Sequence, residues 1–141
     1  MIGIASGRTA IAPSGITLSA DDYRGLSALV QAQAANLRMA ELAERLAEEL
    51  GRAQVLEHGH SSQQIVGMNC EVKFRDENTG AVQTMVLVYP READVGKGRL
   101  SVLTPVGTAL IGQRAGDTTS WESPAGEVRR LTILSVRPPR R

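Results

Sequence analysis

The stretch RLSVLTPVGTALIGQRAGD, residues 99–117, constrains the fold more than any other part of the chain. An alternating apolar run around Leu100 predicts a strand, which stops at Thr104 and Pro105. Thr104 can cap a helix, and Pro105 suits the first helical position because the N–H that it lacks would have no partner there. The Gly-Asp pair at the end of the stretch predicts a turn. We therefore expect a strand, a short helix and a turn into another strand.

The length and composition indicate a small protein with an aliphatic core. A chain of 141 residues suits one domain, or one domain with a small appendage. Aromatic residues are few, so neither an aromatic pocket nor a base-stacking platform is expected. The four are Tyr23, Phe74, Tyr89 and Trp121.

The net charge is close to neutral and is unevenly distributed. Residues 1–58 carry −2 and residues 59–141 carry +3, which is too little to require nucleic acid as the main partner. The single cysteine, Cys70, excludes an internal disulfide and suits a reducing cytosol. No run approaches the roughly 18 apolar residues of a membrane-spanning helix, and residues 1–16 lack the pattern of a signal peptide. We therefore expect a cytoplasmic protein without a membrane partner.

Two amphipathic helices are predicted between residues 19 and 54, after a loose N-terminal segment over residues 1–18 that includes a short extended piece at its end. The first helix is expected to begin after its N-cap, Ser19, and to end near Gln33. Gly25 weakens this helix by about 1 kcal/mol relative to alanine. The apolar stripe of the first helix consists of Tyr23, Leu26, Leu29 and Val30.

The second helix is predicted over residues 38–53. Glu41–Arg45 and Glu48–Arg52 have the i,i+4 spacing that favours ion pairs on one helix face. Because neither apolar stripe can be buried alone, residues 19–54 are expected to form an antiparallel hairpin roughly 20 Å long. The stripe of the second helix consists of Met39, Leu42, Leu46, Leu50 and Ala53.

Strand patterns dominate the rest of the chain, after a polar linker predicted over residues 55–64. Residues 65–136 are expected to form an α+β domain, an antiparallel sheet with one short crossing helix. Residues 137–141 are a basic tail that cannot continue a sheet because it contains two prolines. The five strands are predicted at residues 65–74, 82–89, 99–103, 118–122 and 128–136.

Residues that could carry chemistry do not form a recognisable catalytic or metal-binding pattern. His58, His60 and Cys70 lack the spacing of a zinc site and are expected to be two loop histidines and an inert, half-buried thiol. The segment Gly96-Lys97-Gly98 is too short for a phosphate-binding loop. We predict no metal and no cofactor.

The block at residues 101–112, SVLTPVGTALIG, resembles the S-x-L-[ST]-P-[IV]-G-x-A-L-[IL]-G signature in the C-terminal domain of the bacterial Gre transcript-cleavage factors. The flanking sequence MVLVYPREAD is similar to their short relatives, the Rnk-type regulators of nucleoside diphosphate kinase. The resemblance implies an FKBP-like C-terminal domain that docks on the rim of the RNA polymerase secondary channel. The docking candidates that it implies are Ser101, Thr104, Pro105, Val106 and Gly107. A turn requirement explains Pro105 and Gly107 at least as well as a direct contact does.

The connection between the two predicted helices lacks acidic residues. Cleavage factors of this family carry acids at the tip of a long hairpin, where they help to hold a catalytic Mg²⁺, an ion that prefers carboxylate and water oxygens. This chain has no Asp or Glu from Tyr23 through Ala40. The resemblance together with this absence implies docking without cleavage.

Three functions remain in competition at the level of the sequence. The leading one is a non-enzymatic regulator that binds RNA polymerase, meets nucleic acid only through the transcription complex, and competes with other channel-binding factors. An active cleavage factor is the first alternative, and an FKBP-like prolyl isomerase is the second, although a fold alone is poor evidence of activity. The sequence leaves open whether the short hairpin also binds a second copy of the chain.

Overall fold

The computed structural model describes residues 16–56, 64–123 and 125–139. Its architecture is α+β, with the two longer helices placed before a five-stranded sheet. Within the described ranges no helix has the length and apolar character needed to cross a membrane. In chain order the elements are β1 (Thr17–Ser19), α1 (Ala20–Gln33), α2 (Ala40–Gly51), β2 (Gln54–Leu56), β3 (Glu71–Asp76), β4 (Val82–Val88), β5 (Arg99–Ser101), α3 (Pro105–Leu110), β6 (Thr118–Glu122) and β7 (Val128–Arg137).

Helix α1 begins and ends where its sequence signals predict. The Oγ of Ser19 accepts a hydrogen bond from the backbone N–H of Asp22 at 3.1 Å, which confirms the N-cap. Gly25, an unfavourable residue within a helix, lies against the ring of Tyr89 at the end of β4. A Cβ at this position would be 3.1 Å from Cζ of that ring and closer still to its hydroxyl oxygen. The weak helix former is therefore placed where a side chain would meet the sheet domain.

Helix α2 buries its predicted stripe but forms a different ion pair from the two expected. Leu46 and Leu50 are buried in the core, while Met39, Leu42 and Ala53 pack against it in part. Neither predicted i,i+4 pair forms; instead Arg52 binds Glu49 at 3.3 Å, three residues away. Arg52 binds the residue three positions before it rather than four because it follows the last residue of α2, where the backbone no longer has helical geometry.

Strand β2 corrects the predicted linker. Residues 55 and 56 were expected to begin it, yet they belong to β2, which pairs in parallel with β1. The partner is supplied by the extended piece before α1, and Leu18 of that piece is only 2% exposed. Residues 1–15 and 57–63, which include most of the loose N-terminal segment, most of the linker and both histidines, lie outside the described residues.

The five-stranded sheet has the order β5-β4-β3-β7-β6. Every neighbouring pair is antiparallel except β4 and β5, which are parallel, so the expectation of a wholly antiparallel sheet is wrong at this edge. The parallel step arises because the chain passes through two short 3₁₀ turns between the strands, at Pro90–Glu92 and Val95–Lys97. It thus enters β5 in the same direction as β4.

The first strand of the sheet is shorter at its start than the alternation of residues 65–74 predicts. Ile65 forms only an isolated bridge to Arg114, and the regular strand starts at Glu71. The cause is Asn69, whose φ of 68° is left-handed and interrupts the extended backbone. Cys70 therefore lies just before β3 rather than within it, and burial raises the pKa of its thiol, which agrees with an inert side chain.

The hairpin between β3 and β4 follows its sequence signal. Gly80 has a φ of 84°, as the predicted turn requires, and the Asp76 carboxylate accepts a hydrogen bond from the backbone N–H of Asn78 at 2.8 Å. At the other end of the sheet, Arg137 is the last residue of β7, so the predicted tail begins one residue later. Its Nη1 lies 3.6 Å from Oε1 of Glu71. Arg140 and Arg141 lie outside the described residues.

Candidate functional site

The turn that leads from β5 into α3 is held by side-chain hydrogen bonds of two of the docking candidates. The Oγ1 of Thr104 accepts from the N–H of Gly107 at 2.9 Å and donates to the carbonyl oxygen of Ser101 at 2.8 Å. Ser101 in turn accepts from the N–H of Leu103 through its Oγ at 3.0 Å. Pro105 occupies the first helical position. The predicted cap is confirmed, and Ser101 and Thr104 shape the turn.

Gly107 is buried, and its position explains why no side chain is present there. A Cβ on this residue would lie 2.8 Å from Cα of Val102 and closer still to the carbonyl oxygen of Ser101. Next to it, the hydroxyl of Thr108 donates to the carbonyl oxygen of Val102 at 2.8 Å in the interior. Gly107 is therefore a close-packing residue between α3 and β5, which supports the turn requirement over a direct contact.

The two remaining candidates lie between two recesses. Pro105 is exposed and lines a groove of about 660 Å³ between α2 and the β6–β7 turn, which we call the α2 groove. Val106 is half-buried and lines a smaller recess of about 200 Å³ on the inner face of the sheet, which we call the sheet recess. A partner that contacts the first turn of α3 therefore meets a recess on each side.

The sheet recess brings together residues that are far apart in the sequence. Its apolar lining includes Phe74 and Trp121, so two of the four aromatic rings share this recess. The other apolar residues at the recess are Ala81, Met85, Leu100, Val106 and Leu131.

An ion pair lies at this recess. Nη2 of Arg129 is 2.7 Å from Oδ2 of Asp76, and each side chain is about one quarter exposed. Desolvation raises the pKa of Asp76, but the N–H of Asn78, the charge of Arg129 and the N–H of Thr79 outweigh it. The pKa therefore lies below its ordinary value of 3.8. Sequence reasoning missed this pair because 53 residues separate its members.

The connection between α1 and α2 is ordered by Asn36. Its Nδ2 donates to Oε1 of Gln33 at 3.0 Å, and its Oδ1 accepts from the N–H of Arg38 at 3.1 Å. Leu37 points into solvent with 92% of its surface exposed. The residues that connect the helices carry no carboxylate, since acids are absent from residues 23 to 40, and the next acid in the chain, Glu41, lies in the first turn of α2. Within the described ranges, no group of three or more His, Cys, Asp or Glu side chains could hold a metal ion.

Asp22 connects the helices to the sheet domain. Its Oδ2 accepts a hydrogen bond from the N–H of Met68, 46 residues away, at 3.0 Å. Burial raises the pKa of Asp22 above its ordinary value, the bond from Met68 opposes this shift, and the neighbouring charge of Asp21 adds to it. Gly67 leaves room for the carboxylate, since a Cβ there would lie 2.8 Å from Oδ2. This contact and the Gly25–Tyr89 contact fix the position of α1.

Two family models match the chain over nearly its whole described length. The model for the C-terminal part of the transcription elongation factors GreA and GreB matches residues 61–138, more than half of the chain. The chain therefore belongs to the GreA/GreB family of transcription elongation factors. A second model, for the Rnk N-terminus, matches residues 15–56, which cover the two helices and both strands of the small parallel pair.

Individual proteins support the same assignment. The chain is 40% identical over 95 residues to the regulator of nucleoside diphosphate kinase from Escherichia coli K12, covering 67% of this chain and 70% of that protein. It is 38% identical over 88 residues to the transcription elongation factor GreA of Chloroflexus aurantiacus, covering 62% of this chain but only 55% of that factor. A solved GreA/GreB elongation factor from Nitrosomonas europaea superimposes with a TM-score of 0.67 and 32% identity, covering 88% of this chain and 98% of that one.

Proposed function

We propose that this protein is a non-enzymatic transcription regulator of the bacterial cytoplasm that binds RNA polymerase at the rim of the secondary channel. It acts there by competing with other channel-binding factors and does not stimulate transcript cleavage. The observation that carries this proposal is the combination of two features in one chain. One is the family's C-terminal sequence block with an exposed first turn of α3, and the other is a connection between the preceding helices that carries no acid.

The docking half of the proposal is supported by the geometry around α3. The first turn of this helix exposes Pro105 and part of Val106, and each lies at the edge of a recess. In typical interfaces, a few apolar side chains that fill a recess on the other protein supply most of the binding energy. The polar candidates Ser101 and Thr104 support the turn from behind, and Gly107 allows it to approach β5. The five candidates thus divide into two contact residues and three that position them.

The claim of docking without cleavage is supported by the end of the helices. A hard cation such as Mg²⁺ needs oxygen ligands, preferably carboxylates, at the reacting centre. The exposed side chains at the α1–α2 connection include Leu37 and Arg38, one apolar and one cationic. Helices of 14 and 12 residues extend only about 20 Å at 1.5 Å per residue. Such an arm is short, and its connecting residues bring no carboxylate to a buried active site, since the first acid after them is Glu41 within α2.

We also propose the finer description of the fold that this function needs. Helices α1 and α2 contact each other and are joined by six residues, which favours an antiparallel hairpin over residues 19–54. The sheet with its single crossing helix over residues 65–136 is the FKBP-like docking domain. Prolyl isomerisation is not proposed, because a sheet recess of about 200 Å³ is smaller than the roughly 300–1,000 Å³ of typical ligand pockets.

A binding assay with core RNA polymerase tests the docking surface. Val106→Asp places a charge at the edge of the sheet recess and is expected to weaken binding by about tenfold or more, as loss of a central apolar contact does. Val95→Asp makes the same chemical change at a site that is 74% exposed and lines neither recess, and it should leave affinity unchanged. Since Val106 is half-buried, Pro105→Ala at an exposed position provides a second variant. Equal affinities for all four proteins would contradict the assigned surface.

A further inference from the structure

The α2 groove is a second recess beside the α3 turn, and the docking candidates use only one edge of it. One wall is the outward face of α2, and the opposite wall is the end of β6 with the β6–β7 turn. Pro105 and Leu42 give the groove apolar surface between these walls. Its volume of about 660 Å³ can hold several side chains of a partner.

Carboxylates stand on both walls of the groove. Glu41, Glu44 and Glu48 follow one another at spacings of three and four residues and therefore share one face of α2. Glu122 faces them from β6. All four are exposed, and none has an ion pair with another residue in the part of the chain that the structure describes. Without an ion pair of their own, these carboxylates can each bind a cation from outside.

Two guanidinium groups, those of Arg38 and Arg45, also line the groove, so the balance is four carboxylates against two cations. The surface is negative overall and carries apolar patches between the charges. A partner without positive charge would desolvate the carboxylates without replacing the lost hydration, which is costly. A nucleic-acid backbone would be repelled. A second copy bound by a two-fold symmetric contact would set the same carboxylates against each other.

We propose that the α2 groove binds a basic segment of RNA polymerase, one rich in Lys and Arg, next to the contact made by the α3 turn. The inference rests on the proposed function, since it names the chemistry of the partner on a surface continuous with Pro105. The segment places ammonium or guanidinium groups between Glu44 on α2 and Glu122 on β6, while its apolar stems lie against Leu42 and Pro105. Helix α2 thus adds charge recognition to an otherwise apolar docking turn.

Charge reversal in a binding assay with core RNA polymerase tests this inference. Glu44→Lys and Glu48→Lys, each at an exposed position on α2, are expected to weaken binding by about tenfold at low salt, and by less as salt rises and screens the charges. Glu92→Lys is the matched control, because it makes the same change at an exposed site that does not line the groove. The control should stay within about twofold of the unmodified protein, since a distant exposed charge contributes little. Unfolding curves of the three variants verify that each is folded.

The outcomes separate this inference from the function on which it rests. An unmodified protein that fails to bind core polymerase overturns the proposed function. Binding that persists unchanged in Glu44→Lys and Glu48→Lys overturns the groove inference alone and leaves docking by α3 intact. A protein that dimerises in solution, and loses the dimer on charge reversal, assigns the groove to a second copy and also overturns the inference.

Discussion

Replacing Gly107 with alanine tests whether this residue of the family block is a packing residue. Its Cβ would lie 2.8 Å from Cα of Val102, whereas ordinary contacts of this kind are 3.4–4 Å, so α3 and β5 must separate by at least about 0.6 Å. The obstructing atoms belong to the backbone and cannot rotate away. Such overpacking costs about 1–3 kcal/mol. Because Gly107 lies within α3, the better helix propensity of alanine offsets up to about 1 kcal/mol of this cost.

The Gly107→Ala protein is therefore expected to lose roughly 1–2 kcal/mol of unfolding free energy, a sizeable share of the 5–15 kcal/mol of a typical domain. Urea denaturation followed by the fluorescence of Trp121 measures this as a lower midpoint at a similar slope. Gly51→Ala is the matched control, because Gly51 ends α2 and an added Cβ meets nothing within 4 Å. It should gain up to about 1 kcal/mol from helix propensity. A Gly107→Ala midpoint equal to that of the unmodified protein would refute the packing argument.

Three further sets of substitutions test contacts that hold the helices and the α3 turn in place. Thr104→Ala should lose about 1 kcal/mol of unfolding free energy with its cap, and Thr104→Ser should restore it; equal urea midpoints for both would refute the cap. Asp22→Ala should cost about 1–3 kcal/mol because the Met68 N–H loses its acceptor. Burial raises the pKa of Asp22 in the folded state. The contribution of Asp22 to the free energy of unfolding is therefore full below pH 3.8, its ordinary pKa, and declines as pH rises through the raised pKa. Asp22→Asn should therefore gain stability relative to the unmodified protein between pH 4 and 7, and a constant difference would contradict this. Gly25→Ala and Tyr89→Phe should couple by about 0.5 kcal/mol or more in a double-mutant cycle, and additive effects would show that they do not touch.

Local signals predicted the elements that local contacts hold. The Ser19 cap of α1, the Thr104 cap of α3 and the Gly80 turn each depend on residues within four positions of one another, so the sequence alone identifies them. Helix α2 was predictable because its apolar stripe repeats with the helical period. The same locality explains why the ends of elements were less well predicted, as at Asn69, whose left-handed backbone no simple pattern signals.

Contacts between distant segments could not be predicted in this way. The parallel pairing of β1 with β2 joins residues 17 and 54, and the bond from Met68 to Asp22 spans 46 residues. Both recesses beside α3 are formed by elements that only the folded chain brings together. The family block therefore identified the docking turn, while the surfaces on either side of it required the structure.

Competition on core RNA polymerase tests the central claim most directly. A backtracked transcription complex would be mixed with a Gre cleavage factor and increasing amounts of this protein, and both the bound factor and the length of the RNA would be measured. We predict that the protein alone leaves the RNA at full length, and that it displaces the cleavage factor and suppresses shortening as its concentration rises. Shortened RNA with this protein alone, or undiminished cleavage when it is bound in excess, would contradict the account.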